Sequence, residues 1–347
     1  MISILKLVDF TCFGEAEFQF CKGINVFIGA NSTGKTHILK LLGASLKAGE
    51  EFTNGALPSR ERAQIELSER LVGYFRPEKL GRLVRRKQGR TRSEVEIGFP
   101  HLKPLRFNFA NNAQYVKIED FHGLPQIPSL YLPPKEMLTL YEGFIGLYEG
   151  REVAFDEVYY QLAKSLNPPP LRGPRANKIS NLIKRLEEEF KGKVVKEGNR
   201  FYLQDANGKL EANLVAEGMR KIASIAYLII NGKLSENTVL FWDEPESNLN
   251  PQLIKLVAEL LRQLAASGVQ IFIATHDFLL THYLSLYHEH AEKPEAELRF
   301  FSLEKDEEMG IIIDTGEFLS EIQSNLILDE FAEYYDAEQR FFTTAND

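Results

Sequence analysis

Apolar residues are spaced along this chain in two rhythms. Val26, Phe27 and Ile28 end a short apolar run held between Gly23 and Gly29, the pattern of a strand buried on both faces. After Thr36 the rhythm changes: Ile38, Leu41, Leu42 and Leu46 recur at helical spacing, which gives the order strand, glycine-rich loop, helix. Two further apolar runs, Thr238 to Trp242 and Val269 to Ala274, flank a stretch that puts Leu253, Leu256, Val257, Leu260 and Leu264 on one helical face. Strands alternating with helices predict an α/β fold whose parallel sheet is joined by helical crossovers.

The middle of the chain differs. Glu94 to Ile118 alternates in strand fashion, and Tyr141 to Phe190 reads as mostly helical, broken at Asn167, Pro168, Pro169 and Pro170. Val194 to Leu214 reads as two strands joined by a hairpin, with Asn207-Gly208 as a type I′ turn. The α/β core is therefore expected to be split by a largely helical insertion. The predicted organisation is a first lobe over 1–135 with a basic insertion at about 50–95, then an insertion with a β-hairpin over 136–215. A second lobe over 216–304 and an acidic tail over 305–347 complete it. No solenoid-length repeat and no long heptad run is present.

With 347 residues, 44% of them hydrophobic, the chain can bury a large core in one elaborate domain or two to three lobes. The opening MISILKLVDF runs into a strand pattern without a basic leader, and the longest apolar stretch, Ile222 to Ile230, is too short to cross a bilayer. Cys12 and Cys21 form no CxxC pair, so no disulfide framework or zinc site is suggested. A cytoplasmic protein with no membrane partner is expected. The net charge of −8 is unevenly distributed. Arg76, Lys79, Arg82, Arg85, Arg86, Lys87, Arg90 and Arg92 follow one another with Glu78 as the one acid among them, whereas Glu304 to Asp347 carries thirteen acidic residues and two basic ones. Either segment is a partner surface or simply a solvated face.

Between the first strand and its helix, Gly29-Ala30-Asn31-Ser32-Thr33-Gly34-Lys35-Thr36 matches GxxxxGK[ST]. Glycines let such a loop curl so that its N–H groups point at phosphate oxygens, and the helix adds its positive dipole end. Lys35 would reach the β- and γ-phosphates of ATP and Thr36 would coordinate Mg²⁺. Some 200 residues on, by rough count, Val239-Leu240-Phe241-Trp242 delivers Asp243 and Glu244 to the end of a strand, where ligands gather in open α/β sheets. Asp243 is the candidate Mg²⁺ ligand, directly or through water, and Glu244 the group that polarises the attacking water. An exposed acidic turn is the plainer alternative. His276 ends the next strand, in Ile273-Ala274-Thr275-His276-Asp277, and is a candidate γ-phosphate sensor or else a structural histidine.

The ordered set of motifs resembles the ABC-class ATPases of the RecF, SMC and OLD type over most of residues 1 to 304. VDFTCFGEAEFQFCKGINVFIGANSTGKTHILKLL is similar to that family's opening strands and P-loop, and FWDEPESNLNP to its Walker B motif and D-loop, with Ser247, Asn248, Leu249 and Asn250 as the D-loop. The signature, LSGGQ in transporters, is present only as Val215-Ala216-Glu217-Gly218-Met219 followed by Arg220-Lys221. Gly218 and the helix start remain available for a partner's γ-phosphate, but Ala216 lacks the serine hydroxyl. Relaxed signatures of the form xEGxRK are similar to those of the OLD-like defence branch. No Q-loop glutamine is evident. Ser129 to Glu136 is the segment expected at the lobe junction near the metal, or its prolines simply end a strand.

The resemblance implies a mixed-sheet ABC ATPase head that binds and hydrolyses ATP with Mg²⁺. It also implies a homo-oligomer, a head-to-tail dimer or higher, acting in anti-phage defence or DNA repair. DNA or RNA, and a separate Toprim-like or HNH nuclease, are the partners it suggests. Only about 40 residues follow Glu304, too few for a Toprim domain on the same chain. The alternative is a slowly hydrolysing or non-hydrolysing scaffold or sensor for a separate nuclease, which the missing serine favours and Glu244 and His276 oppose. A transporter ATPase subunit is disfavoured by the relaxed signature and the insertion.

Overall fold

The computed structural model describes residues 1–52, 59–173, 183–184, 186–188, 192–291, 294–306 and 310–344. At its centre six strands form one sheet: β3 (Ile24–Gly29), β7 (Ser129–Leu132), β11 (Val239–Asp243), β12 (Gln270–Ala274), β13 (Leu298–Asp306) and β14 (Gly310–Gly316). Their order is β14-β13-β3-β12-β11-β7. All neighbours are parallel except β14, which returns antiparallel to β13. Every residue of β3, β11 and β12 is buried, which is why these segments read as unbroken apolar runs.

Period-two alternation divides the two faces of this sheet between two cores. Phe27, Phe241, Phe272 and Phe301 face the first core, where helix α1 (Lys35–Phe52) contributes Ile38, Leu41 and Leu42. Each such ring stabilises the fold by about 1.5–3 kcal/mol through burial. Val26, Ile28, Leu240, Trp242, Ile271 and Ile273 face the second core, with helices α5 (Glu217–Ile230), α6 (Pro251–Ala266) and α7 (Phe278–Glu289). The inner face of α6 is set by Ile254, Val257, Ala258, Leu261 and Leu264. Leu253 and Leu256, expected there, are only partly buried.

A second, antiparallel sheet shares the first core. It is built from β1 (Ile4–Phe10), β2 (Phe13–Gln19), β4 (Arg92–Phe99), β5 (Leu102–Ala110) and β6 (Lys117–Glu119), in the order β2-β1-β4-β5-β6. Phe20, which follows β2, meets Phe272 edge-on at 4.9 Å between ring centroids, and Phe27 stacks on Phe301 at 5.1 Å. The basic insertion belongs to this half: helix α2 (Arg60–Phe75) begins on the Ser59 cap, and residues 76–92 lead into β4.

The region between the two halves is helical in part, residues 183–184 and 186–188 included. Among the described residues it holds α3 (Phe144–Glu149) and α4 (Glu157–Leu166), and the expected helical stretch from 174 to 182, with Arg185, Glu189 and Phe190, lies outside them. Arg70 on α2 ties this region to the core, pairing with Glu66 at 2.9 Å, Glu51 on α1 at 3.4 Å, and Glu157 on α4. The expected single hairpin is a three-stranded meander of β8 (Lys193–Glu197), β9 (Arg200–Asp205) and β10 (Gly208–Glu211). Its second turn is not type I′. Asp205 pairs with Gly208, so Ala206 and Asn207 form the loop, and neither has positive φ. The Asp205 carboxylate instead accepts from the Asn207 and Gly208 N–H groups, an Asx turn that competes with the I′ form.

Of residues 305–347, expected as a tail, the described ones, 305–306 and 310–344, are not apart from the fold. β13 runs past the boundary at 304 to Asp306, β14 extends the main sheet, and helix α8 (Leu326–Thr344) follows. Phe331 of α8 stacks on Phe278 of α7 at 4.1 Å. Acidic residues dominated the reading of this segment, although Ile311, Leu319 and Ile322 are buried. Among the described residues no helix is long and apolar enough to cross a membrane.

Candidate functional site

The C-terminal ends of β3, β11 and β12 open into one cleft of ≈ 230 Å³. It is lined by Asn31, Ser32, Thr33, Gly34, Lys35, Thr36 and His37 from the loop, and by Asp243, Glu244, Ala274 and His276 from the neighbouring strands. The loop needs its glycines for distinct reasons. Gly29 has φ +136°, and a Cβ there would lie 2.3 Å from the Leu303 carbonyl oxygen. Gly34 has φ +95°, and a Cβ would meet Cys12 Sγ at 2.6 Å and the Phe13 ring at 2.7 Å. Ser32 adopts φ 66°, and the Thr33 hydroxyl donates to Ala30 O at 2.9 Å, which closes the curl. The Lys35 ammonium donates to Gly29 O at 2.7 Å and Ala30 O at 2.8 Å, so it bridges the loop across its own mouth. Burial pulls its pKa below the ordinary lysine value, against the attraction of Asp243, Glu244 and Glu246.

Thr36 and Asp243, far apart in sequence, meet: the threonine hydroxyl donates to Asp243 Oδ1 at 2.9 Å. Tyr131 of β7 approaches Oδ2 at 3.4 Å. Burial pushes the Asp243 carboxyl up to about 6, partly offset by the Thr36 hydrogen bond. A buried carboxylate beside a hydroxyl, in a cleft lined by the glycine-rich loop, suits a hard cation with phosphate ligands. Among the described residues no group of three or more His, Cys, Asp or Glu side chains could hold a metal alone. Thr36 and Asp243 therefore fit an ion such as Mg²⁺ that takes most of its ligands from water and nucleotide.

Glu244 has φ 48°, a left-handed conformation that is strained for a residue with a Cβ. Its N–H donates to Ala274 O at 2.9 Å, and its carbonyl accepts from Lys221 Nζ at 2.7 Å. Two residues on, the buried Glu246 carboxylate accepts the His276 N–H at 3.2 Å and lies 3.5 Å from His276 Nδ1. Burial raises the Glu246 pKa. The His276 ring itself is 55% exposed, on the rim of the cleft. Asn248 turns the chain with φ 62°, and Asn250 caps α6 by accepting from Leu253 N at 2.9 Å, with Pro251 at the first helical position.

Gly218 is not brought to this cleft. It is buried at the start of α5 against the turn after Glu244, where a Cβ would lie 2.7 Å from Asn248 O and 3.0 Å from Leu249. Ala216 is the helix cap and supplies no side-chain hydrogen bond. The neighbouring Arg220 pairs with Glu136 at 2.9 Å, so the segment after β7 does touch the signature region, and its Pro134 carbonyl accepts from Ser247 Oγ at 3.1 Å. Glu246 and Lys221 were not singled out by sequence reasoning. Glu246 was legible as the third acid of the same turn, and Lys221 as a lysine in line with the core positions Ile225 and Leu228 of an apolar helix.

The mixed sheet with its parallel strands and flanking helices is an SMC head-like α/β fold, consistent with an ABC ATPase head. In overall fold the chain resembles an SMC head bound to the C-winged helix domain of ScpA, with TM-score 0.53 and 12% identity over 92% of this chain and 98% of that one. The SMC head domain from Thermotoga maritima aligns over 90% of this chain and 98% of that one, with TM-score 0.49 and 13% identity. Residues 127–281 match the family described as "AAA domain, putative AbiEii toxin, Type IV TA system". A stretch of 111 residues is 35% identical to the DNA replication and repair protein RecF of Renibacterium salmoninarum, covering 31% of this chain and only 24% of that protein's length. The family match over part of the chain, the RecF-like stretch and the SMC-head fold are all resemblances to ABC-class P-loop ATPases of the RecF/SMC type.

Proposed function

We propose that this protein binds ATP with Mg²⁺ in the cleft between the P-loop and β11 and hydrolyses it as a nucleotide-gated, head-to-tail dimer. The observation that carries the reading is the Thr36–Asp243 hydrogen bond, which joins the two motifs at the point where a metal would sit between them. Bound nucleotide and Mg²⁺ would supply the phosphate electrophile and its charge neutralisation. Loop N–H groups from Ala30 to Thr36 and the Lys35 ammonium hold the phosphates, and Thr36 and Asp243 hold the ion. Glu244 would orient the attacking water, and His276, whose Nδ1 lies 3.5 Å from Glu246, would offer its other nitrogen to the γ-phosphate. Gly218, remote from its own cleft, would serve a partner's nucleotide.

The likeness to RecF supports a role in DNA repair, and the relaxed signature supports the defence branch. In either setting a cytoplasmic dimer would sense nucleic acid or a foreign component and control a separate effector, a Toprim-like or HNH nuclease. The uncapped Ala216 favours a second reading, a scaffold that hydrolyses slowly and uses ATP to hold two copies together. Steady-state turnover of the wild type against Glu244→Gln separates them. The first reading expects measurable turnover that the amide suppresses without weakening ATP binding. Equal rates in both proteins would sink the role given to Glu244, and a wild type without turnover would leave the scaffold.

A further inference from the structure

Lys221 is 5% exposed, the one charged residue among the buried positions of its helix, which are otherwise apolar but for Ser224. A buried ammonium is costly unless all its donors are used. Here they are. Nζ donates to Glu244 O at 2.7 Å, to Ser247 O at 3.3 Å, and to Ser247 Oγ. Ser247 passes the contact on to Pro134 O at 3.1 Å. All of these acceptors belong to the turn between β11 and α6, or to the segment it leans on.

That turn has a problem to solve. Glu244 holds a left-handed backbone without being glycine or asparagine, a strained conformation that persists only where its surroundings over-determine it. Its peptide is gripped at both ends: Ala274 O takes the N–H, and Lys221 takes the carbonyl. Lys221 also stands one turn along α5 from Gly218, whose own contact is with Asn248 O in the same turn. A shift of the α5 start would therefore be transmitted to Glu244 through Lys221.

We propose that Lys221 is a positioning residue that holds Glu244 in its strained backbone conformation and couples the start of α5 to it. The inference rests on the hydrolytic role proposed for Glu244. Lys221 does not line the cleft, and acts through the carbonyl it binds.

The test uses the full-length protein with Lys221→Met, which keeps length and apolar volume but removes the donors. The readouts are kcat and KM for ATP, calorimetric affinity for a non-hydrolysable ATP analogue, and thermal denaturation, all repeated in a Glu244→Gln background. The kcat is expected to fall roughly tenfold to a hundredfold, the range for a displaced catalytic group. Analogue affinity should stay within about threefold, because the P-loop is untouched. In the Glu244→Gln background the second substitution should cost nothing further, since both act through one group. Ser247→Ala, which removes one acceptor and leaves the lysine, should lower kcat by a smaller factor and keeps the idea testable if Lys221→Met does not fold. Wild-type kcat in Lys221→Met, or in Ser247→Ala should the first variant not fold, overturns the inference. So does an equal further loss in the Glu244→Gln background, or a loss of kcat matched by lost analogue affinity. If Glu244→Gln itself turns over normally, the catalytic reading fails first; if it is inactive while Lys221→Met is normal, only the positioning role falls.

Discussion

Replacing Arg70 by methionine would leave the Glu157 carboxylate buried without its counter-charge. Their side chains are 17% and 8% exposed, and Gln161 Nε2, at 2.8 Å, would be the hydrogen-bond donor left to Glu157. Burial already raises the Glu157 pKa against the pull of Arg70. On Arg70 itself burial acts to lower the pKa, but Glu157, Glu51 and Glu66 outweigh it and hold the guanidinium charged. Removing one partner of such a pair costs about 3–5 kcal/mol, and replacing both by neutral groups is far cheaper. Arg70→Met should therefore lose about 3 kcal/mol or more near neutral pH, and Arg70→Met/Glu157→Gln should recover most of it. The pH sign follows from the raised pKa. A carboxyl that holds its proton more tightly when folded favours the fold at low pH, and costs stability as pH rises through the folded pKa. Losing Arg70 raises that pKa further, so the deficit should grow from mildly acidic to mildly alkaline buffer. Trp242, the single and fully buried tryptophan, reports unfolding in denaturant at each pH. A single variant within about 1 kcal/mol of wild type, or a double variant no better than the single, would refute the ion-pair argument.

Lys35→Ala removes the ammonium that bridges the loop mouth, and should abolish ATP binding in calorimetry; unaltered affinity would end the P-loop assignment. Gly218→Ala should displace the turn at Asn248, because a Cβ there approaches Asn248 O to 2.7 Å. Turnover should fall roughly tenfold or more with nucleotide affinity retained, and wild-type turnover would contradict the tight approach. In the basic run Arg85 leans on Gly310, at 2.8 Å from a Cβ built there, and Lys87 pairs with Asp9 at 2.6 Å, so part of its charge serves the fold. The exposed Arg86 and Arg90 are the better probes: Arg86→Glu/Arg90→Glu should weaken DNA or RNA binding and flatten its salt dependence, with unchanged melting. Unchanged anisotropy titrations would return this run to an ordinary solvated face.

The parallel sheet was legible because strands buried on both faces are mostly apolar, as β3, β11 and β12 are apart from Asn25, Asp243 and Gln270. Their order was not, since nothing local in Val26 says that its neighbours are Ile273 and Phe300. Thr36 and Asp243 could be named as metal ligands from spacing within their motifs, but their meeting depends on the register of the strands that carry them. Lys221 and Glu246 escaped because their contacts are largely to backbone groups, the Glu244 and Ser247 carbonyls and the His276 N–H, which carry no sequence signal. The type I′ turn failed for a related reason: Asn207-Gly208 favours it, but the Asp205 carboxylate two residues earlier offers the same N–H groups a local acceptor. At the C-terminal end, surface acids masked the apolar residues that hold β14 and its successors on the core.

The place of β3 between β12 and β13 bears on how the protein is made. The strand that presents the P-loop is synthesised well before both of its hydrogen-bonded neighbours, 270–274 and 298–306. Closing loops of that length is entropically expensive and slow, so the antiparallel sheet, whose strands all lie before residue 120, can form well before the nucleotide cleft does. During synthesis Phe27 and its neighbours wait with unpaired edges, the condition that recruits chaperones. A ribosome-bound chain arrested before residue 298 should accordingly carry the whole glycine-rich sequence and retain no ATP, because Leu303, against which Gly29 turns, has not yet arrived.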